Sequence, residues 1–145
     1  MQRLDFAKAS PAAIKALLGV ENYVRDTGLE HSLLELVKLR ASQINGCGYC
    51  VDMHARDARQ AGETERRLYA VAVWRETPFF SPRERAALAW TEALTRLSAH
   101  PALDGDFAVL REHFSEREMV DLSLAISAIN SWNRLAVGFG AQPAA

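Results

Sequence analysis

Almost every stretch of this chain repeats its apolar residues at helical spacing and then meets a stop signal, and strand-type alternation is nearly absent. Ser10-Pro11 reads as an N-cap followed by proline at the first helical position, and Ile14, Leu17, Leu18 and Val20 to Tyr23 keep the period until Gly28. A second helix is predicted from about Leu29 to Ile44, stopped by Asn45-Gly46. A third runs from Cys47 to about Ala61 and stops at Gly62. A fourth runs from Thr64 to Trp74 with Leu68, Tyr69, Val71, Ala72 and Val73 as its apolar residues. Glu76 to Phe80 breaks the period, and Ser81-Pro82-Arg83-Glu84 restarts it for a helix reaching about Ser98. After Pro101 and a turn near Gly105, a short helix spans Asp106 to Phe114. Ser115 and Glu118 then form a capping-box pattern for a long last helix to Phe139. The fold class is therefore all-α, one domain over 1–145 of about six to seven helices with its core at about 17–139.

The last helix is apolar around most of its circumference, from Met119 and Val120 to Leu135 and Val137, which predicts burial on more than one side. Ser123, Ser127, Asn130 and Arg134 form one polar stripe that faces either a polar site, another subunit or solvent. Trp74, Trp90 and Trp132 are expected in the core, with Phe79, Phe80 or Trp132 as candidates for the mouth of a site.

Charge narrows the partners. Seventeen Lys and Arg balance 18 Asp and Glu for a net charge of -1, so nothing draws the chain generally to nucleic acid or anionic membranes. The first ten residues carry Arg3, Asp5 and Lys8 without a signal-peptide apolar run, and no segment approaches about 20 apolar residues. A cytoplasmic location is expected. There, a close pair of cysteines points to redox chemistry or metal binding rather than a permanent staple.

That pair is the informative feature: Cys47-Gly48-Tyr49-Cys50-Val51-Asp52-Met53-His54. On a helix, Cys47, Cys50 and His54 share one face. A thiol in a first turn meets free backbone N–H groups and the positive end of the helix dipole, which favour the thiolate, and His54 is placed to accept a proton. Glu35 lies on the preceding helix. If Asn45-Gly46 folds the two helices into an antiparallel hairpin, Glu35 sits about two turns down, level with His54, where a carboxylate fixes an imidazole tautomer or relays a proton. Two other uses of these residues stay open: zinc held by Cys47, Cys50, His54 and Glu35, and an ordinary ion pair of Glu35 with Lys38 or Arg40. His31, His100 and His113 have no second histidine or cysteine nearby and read as surface or capping residues. A thioredoxin-type site is excluded by context, because helix rather than strand feeds the motif.

The run from Glu35 through Cys47 and Cys50 to His54, with Trp74-Arg75-Glu76, Arg83 to Leu88 and Asn130 to Leu135, resembles the AhpD-like alkylhydroperoxidase branch of the carboxymuconolactone decarboxylase superfamily. The resemblance spans about Leu17 to Phe139. It implies helical subunits assembled as trimers or hexamers and a thiol-dependent peroxidase or disulfide reductase. In that cycle Cys50 attacks peroxide, Cys47 resolves, and Glu35 with His54 relays protons; Tyr49, Asn130 and Trp132 are candidate supporting residues. The implied partners are a hydroperoxide and an external dithiol protein or small thiol, since the chain has no further cysteine; no cofactor is called for. A rival outcome is a helical oligomer whose dithiol senses redox state or docks a partner without turnover. Many peroxidases of the branch carry a second histidine between the cysteines, where this chain has Gly48-Tyr49. Tyr49 can hydrogen-bond there but is no base near neutral pH. The lactone decarboxylase activity that names the superfamily needs no cysteine pair and is not implied.

Overall fold

The computed structural model describes residues 1–100 and 102–145, and among these the chain forms eight α-helices and no strand. They are α1 (Phe6–Ala9), α2 (Pro11–Arg25), α3 (His31–Ile44), α4 (Gly48–Gln60), α5 (Glu65–Ala70), α6 (Pro82–Thr95), α7 (Asp104–His113) and α8 (Glu116–Phe139), with 3-10 segments at Val71–Glu76 and Leu97–Ala99. Seven answer to the predicted helices. The exception, α1, is a single turn capped by Asp5, too short for any period to reveal.

Cap chemistry sets the boundaries. The side chains of Thr64, Ser81 and Ser115 accept from the backbone N–H three residues on, and Ser115 with Glu118 makes the full reciprocal capping box. The fourth predicted helix is cut short, because α5 ends at Ala70 and the chain continues as a 3-10 segment kinked at Val73. Tyr69 and Val73 consequently stay exposed, whereas Leu68, Val71 and Trp74 face inward. Gly105 lies inside α7 instead of in a turn before it, with Asp104 and Asp106 on the favourable N-terminal side of the dipole. Pro101 lies outside the described residues.

α3 is the central element, packed against α4, α6 and α8. Leu33, Leu34 and Val37 on one side join Val24, Ala87, Leu110, Leu122 and Ile126. On the other side Leu36 and Leu39 join Leu68, Val71, Trp74, Phe80 and Leu88. Each such side chain contributes roughly 1.5–3 kcal/mol by leaving water, so two separate apolar clusters grip one helix. α8 is buried where it meets the rest of the bundle, through Leu122, Ala125, Ile126, Ile129 and Ala136, while Val120 and Val137 remain exposed. The chain start closes back on this helix: the Arg3 N–H donates to the Phe139 carbonyl at 2.7 Å, and the Phe6 and Phe139 rings lie 6.1 Å apart.

The charged and aromatic words outside the cysteine motif are explained by architecture. Glu92 on α6 is 8% exposed and accepts from Trp74 Nε1 at 3.1 Å, from Arg40 Nη2 at 3.3 Å and from Arg75. Arg40 is therefore taken by Glu92 and not by Glu35. Arg83 bonds Glu30 and Glu118, tying the start of α6 to those of α3 and α8, and Arg85 donates to the carbonyls of Trp74 and Thr77. Glu92→Ala should cost about 3 kcal/mol by leaving Arg40 and Trp74 without their acceptor, against under about 1 kcal/mol for the half-exposed Arg75→Ala; urea denaturation of both variants checks the order.

Candidate active site

The turn between α3 and α4 places the cysteines. Asn45 ends α3, Gly46 takes the left-handed conformation at φ 65°, its N–H donates to the Gln43 carbonyl at 3.2 Å, and the Cys47 N–H donates to the Ser42 carbonyl at 2.9 Å. This is the Schellman pair that closes a helix on a positive-φ glycine. Cys47 is at the same time the N-cap of α4, its Sγ accepting from the Cys50 N–H at 3.3 Å. One residue thus finishes one helix and starts the next. The helix begins at Gly48 rather than at Cys47; Cys50 and His54 share the buried face of α4, and both thiols are buried against Ala136 of α8.

Asparagines of α8 fasten that turn. Asn45 Nδ2 donates to Asn130 Oδ1 and Asn133 Oδ1, each at 2.9 Å, and Asn133 Nδ2 donates to Ser42 Oγ at 3.0 Å. Asn130, a candidate supporting residue, is accordingly a brace for the turn and does not line the cavity described below. Of the polar stripe, Ser123 accepts from Trp90 Nε1 and Arg134 donates to the Asn130 carbonyl, so the stripe is mostly used within the subunit. Asn133 was not singled out by sequence reasoning, since an asparagine in an apolar helix does not reveal its partner.

The hairpin brings Glu35 and His54 together as the register requires: His54 Nδ1 lies 3.2 Å from Glu35 Oε2, both residues buried. The other carboxylate oxygen, Oε1, faces Lys38 Nζ at 3.8 Å and His31 Nε2 at 3.9 Å, and Lys38 also meets Glu21 at 3.3 Å. Burial by itself pushes the Glu35 carboxyl up, but the hydrogen bond to His54 and the charges of His54, Lys38 and His31 outweigh it and hold the group below its ordinary value. An ionised carboxylate only accepts, so Nδ1 carries the hydrogen, and whenever the imidazole is neutral its Nε2 presents a lone pair. The ion pair with Lys38 and the contact with His54 coexist on one carboxylate. His31 is not merely a surface residue, for it stands exposed at the start of α3 within reach of Glu35.

Cys50 departs from the expected ionisation. Burial, then the Cys47 thiol beside it, push its pKa from 9.0 up to about 12, with a hydrogen bond from Asn133 acting the other way. The first-turn position does not offset the loss of water around the sulfur. A thiol of this kind rests protonated near neutral pH.

Cys50, His54, Glu35 and Met53 open onto a cavity of about 860 Å³, roofed by Phe6 of α1 and Trp132 of α8. Tyr49 is 39% exposed at its edge. Trp132 is half-buried along this wall instead of sitting in the core with Trp74 and Trp90. Phe79 and Phe80 lie elsewhere: Phe80 belongs to the cluster under α5, and Phe79 is covered by the Arg66 guanidinium at 4.2 Å. His100 pairs with Asp106 at 2.9 Å, and neither it nor His113 lines this cavity. The thiols do not join a ligand cluster with Glu35 and His54; among the described residues the one group of three potential metal ligands within 4.8 Å is Glu35, His54 and Asp57. Among the described residues no helix is long and apolar enough to cross a membrane.

An all-helical subunit with a dithiol at a helix start, backed by Glu and His from a hairpin, defines an AhpD-like protein. The carboxymuconolactone decarboxylase family model matches residues 9–93, and the chain belongs to that family. The uncharacterized protein YdfG of Bacillus subtilis (strain 168) is 40% identical over 143 residues, 99% of this chain and 97% of its own. A crystal structure from Agrobacterium tumefaciens, of a protein of unknown function proposed as an antioxidant defence protein AhpD, superposes with a TM-score of 0.97 at 48% identity over 100% of this chain and 99% of that one. The debrominase Bmp8 shares the fold alone, at a TM-score of 0.86 and 22% identity over 95% of this chain and 74% of that one.

In the Cys47→Ser variant, alkylation of Cys50 should be slow at pH 7 and climb through pH 9 without a plateau, because burial is the main cause of the raised pKa. The folded state keeps this proton where the unfolded chain has lost it. Stability from this thiol is therefore full below about pH 9 and lost as the pH rises toward 12. A plateau in alkylation rate near neutral pH contradicts this picture.

Proposed function

We propose that the protein is a thiol-dependent peroxidase or disulfide reductase that cycles Cys47 and Cys50 between dithiol and disulfide. The carrying observation is that the buried Cys50 thiol lines the same large cavity as the His54–Glu35 pair, whose Nδ1 and Oε2 are 3.2 Å apart. His54 Nε2 accepts the Cys50 proton while Glu35 stabilises the imidazolium through Nδ1–H. The Cys50 sulfur attacks the outer oxygen of a hydroperoxide, the O–O bond breaks, and the inner oxygen leaves as an alcohol after taking the proton from His54. Cys50 is left as a sulfenic acid. Cys47 then attacks that sulfur, water departs, and a disulfide forms before further oxidation can compete. Two electrons and two protons from an external dithiol protein or small thiol restore the pair.

The raised Cys50 pKa gives the base a direct task in this reading, removal of the thiol proton, and turnover under a reductant is what separates it from a redox sensor. A cytoplasmic location and assembly into trimers or hexamers belong to the same reading, and sedimentation reads the assembly directly. Cys50→Ser should abolish peroxide consumption supported by a dithiol while leaving helical content intact, and His54→Gln or Glu35→Gln should slow turnover by roughly 10²-fold or more. Retained turnover in Cys50→Ser would overturn the nucleophile. Stoichiometric disulfide formation without turnover under any reductant would replace the enzyme with a sensor.

A further inference from the structure

We infer that Glu35, His54 and Asp57 form a binding site for a divalent transition-metal ion of the zinc class, separate from the cysteine pair. Each offers one ligand atom, and the three atoms lie within 4.8 Å of one another. The closest pair, His54 Nδ1 and Glu35 Oε2, is 3.2 Å apart. Two ligands about 2.0–2.1 Å from zinc at a tetrahedral angle are separated by about 3.3 Å, so this pair already stands at the spacing a tetrahedral ion requires. Asp57 follows His54 by three residues on the same face of α4 and is exposed, which lets its carboxylate swing onto the ion.

Two further features fit a cation. Glu35 divides its oxygens: Oε1 faces Lys38 and His31, which leaves Oε2 to the ligand side. The set also borders the large cavity, which supplies open positions for water and an entry path. One imidazole with two carboxylates is a donor set suited to zinc and its neighbours rather than to magnesium or calcium, which prefer oxygen alone. Metal binding at Nδ1 takes the imidazole hydrogen off the nitrogen that donates to Glu35. A neutral imidazole that gives Nδ1 to a metal must carry its hydrogen on Nε2, the atom that accepts from Cys50 in the proposed cycle. Occupancy therefore switches the proton acceptor off. That consequence rests on the peroxidase reading; the binding itself does not.

The test uses Co²⁺ and Zn²⁺ with the full-length protein in its disulfide form and in the Cys47→Ser/Cys50→Ser variant, so that no thiolate competes. One equivalent should bind by calorimetry in both. The cobalt complex should show weak visible bands and no sulfur-to-cobalt charge-transfer band. Asp57→Asn, a surface change expected to leave the fold intact, should weaken binding by roughly tenfold or more, and Glu35→Gln further. Absence of saturable binding in the disulfide form, or affinity unchanged in Asp57→Asn, overturns the site. Turnover of metal-free protein, measured separately, reports on the peroxidase reading, so the two can fail independently. With both intact, Zn²⁺ should inhibit the wild type and inhibit Asp57→Asn less strongly.

Discussion

A carboxylate buried in a helical hairpin must find partners, and in this molecule the partners of Glu35 organise everything around it. Its two oxygens divide between His54 on one side and Lys38 with His31 on the other. The resulting stabilisation outweighs desolvation and keeps the group ionised. Removing Glu35 from water is tolerable only because α3 and α4 hold these partners in register, and that register is set by the Schellman turn at Asn45-Gly46. The same turn makes Cys47 both the end of one helix and the cap of the next. Loss of either feature would scatter the imidazole, the thiols and the carboxylate together.

Burial gives this site its character. The positive end of α4 favours a thiolate, but Cys50 is buried among Cys47, Ala136 and Asn133, and desolvation wins. In the proposed cycle, reactivity then depends on a base that acts at the moment of attack. A protonated resting thiol is also protected from indiscriminate oxidation, since the thiolate is the reactive form. The ionised Glu35 and the protonated Cys50 border one cavity, with His54 hydrogen-bonded to the carboxylate.

Much of this was legible in the residues. The Glu35–His54 level followed from helix rise and a stop signal, and the helices from caps and glycines, because those interactions are local and recur at fixed offsets. Other contacts were not legible. Asn130 and Asn133 reach Asn45 across more than eighty positions, and the first residues fold back over the end of α8. Trp74, Arg75, Arg83 and Arg85 stood out in sequence beside the cysteine motif, yet their partners show them bracing α6 against its neighbours. A pattern of residue types does not say whether a charged word is chemistry or mortar.

The sequence by itself determined the helical architecture, the glycine stop before the cysteine pair, and the shared face of Cys50 and His54, since each depends on neighbours within one or two turns. Only the tertiary structure decided the ionisation of Cys50, the shape of the cavity under Phe6 and Trp132, and which residues brace the turn. Those depend on what excludes water from a sulfur and what meets an amide across the bundle, and such contacts arise between segments whose spacing in the chain carries no period.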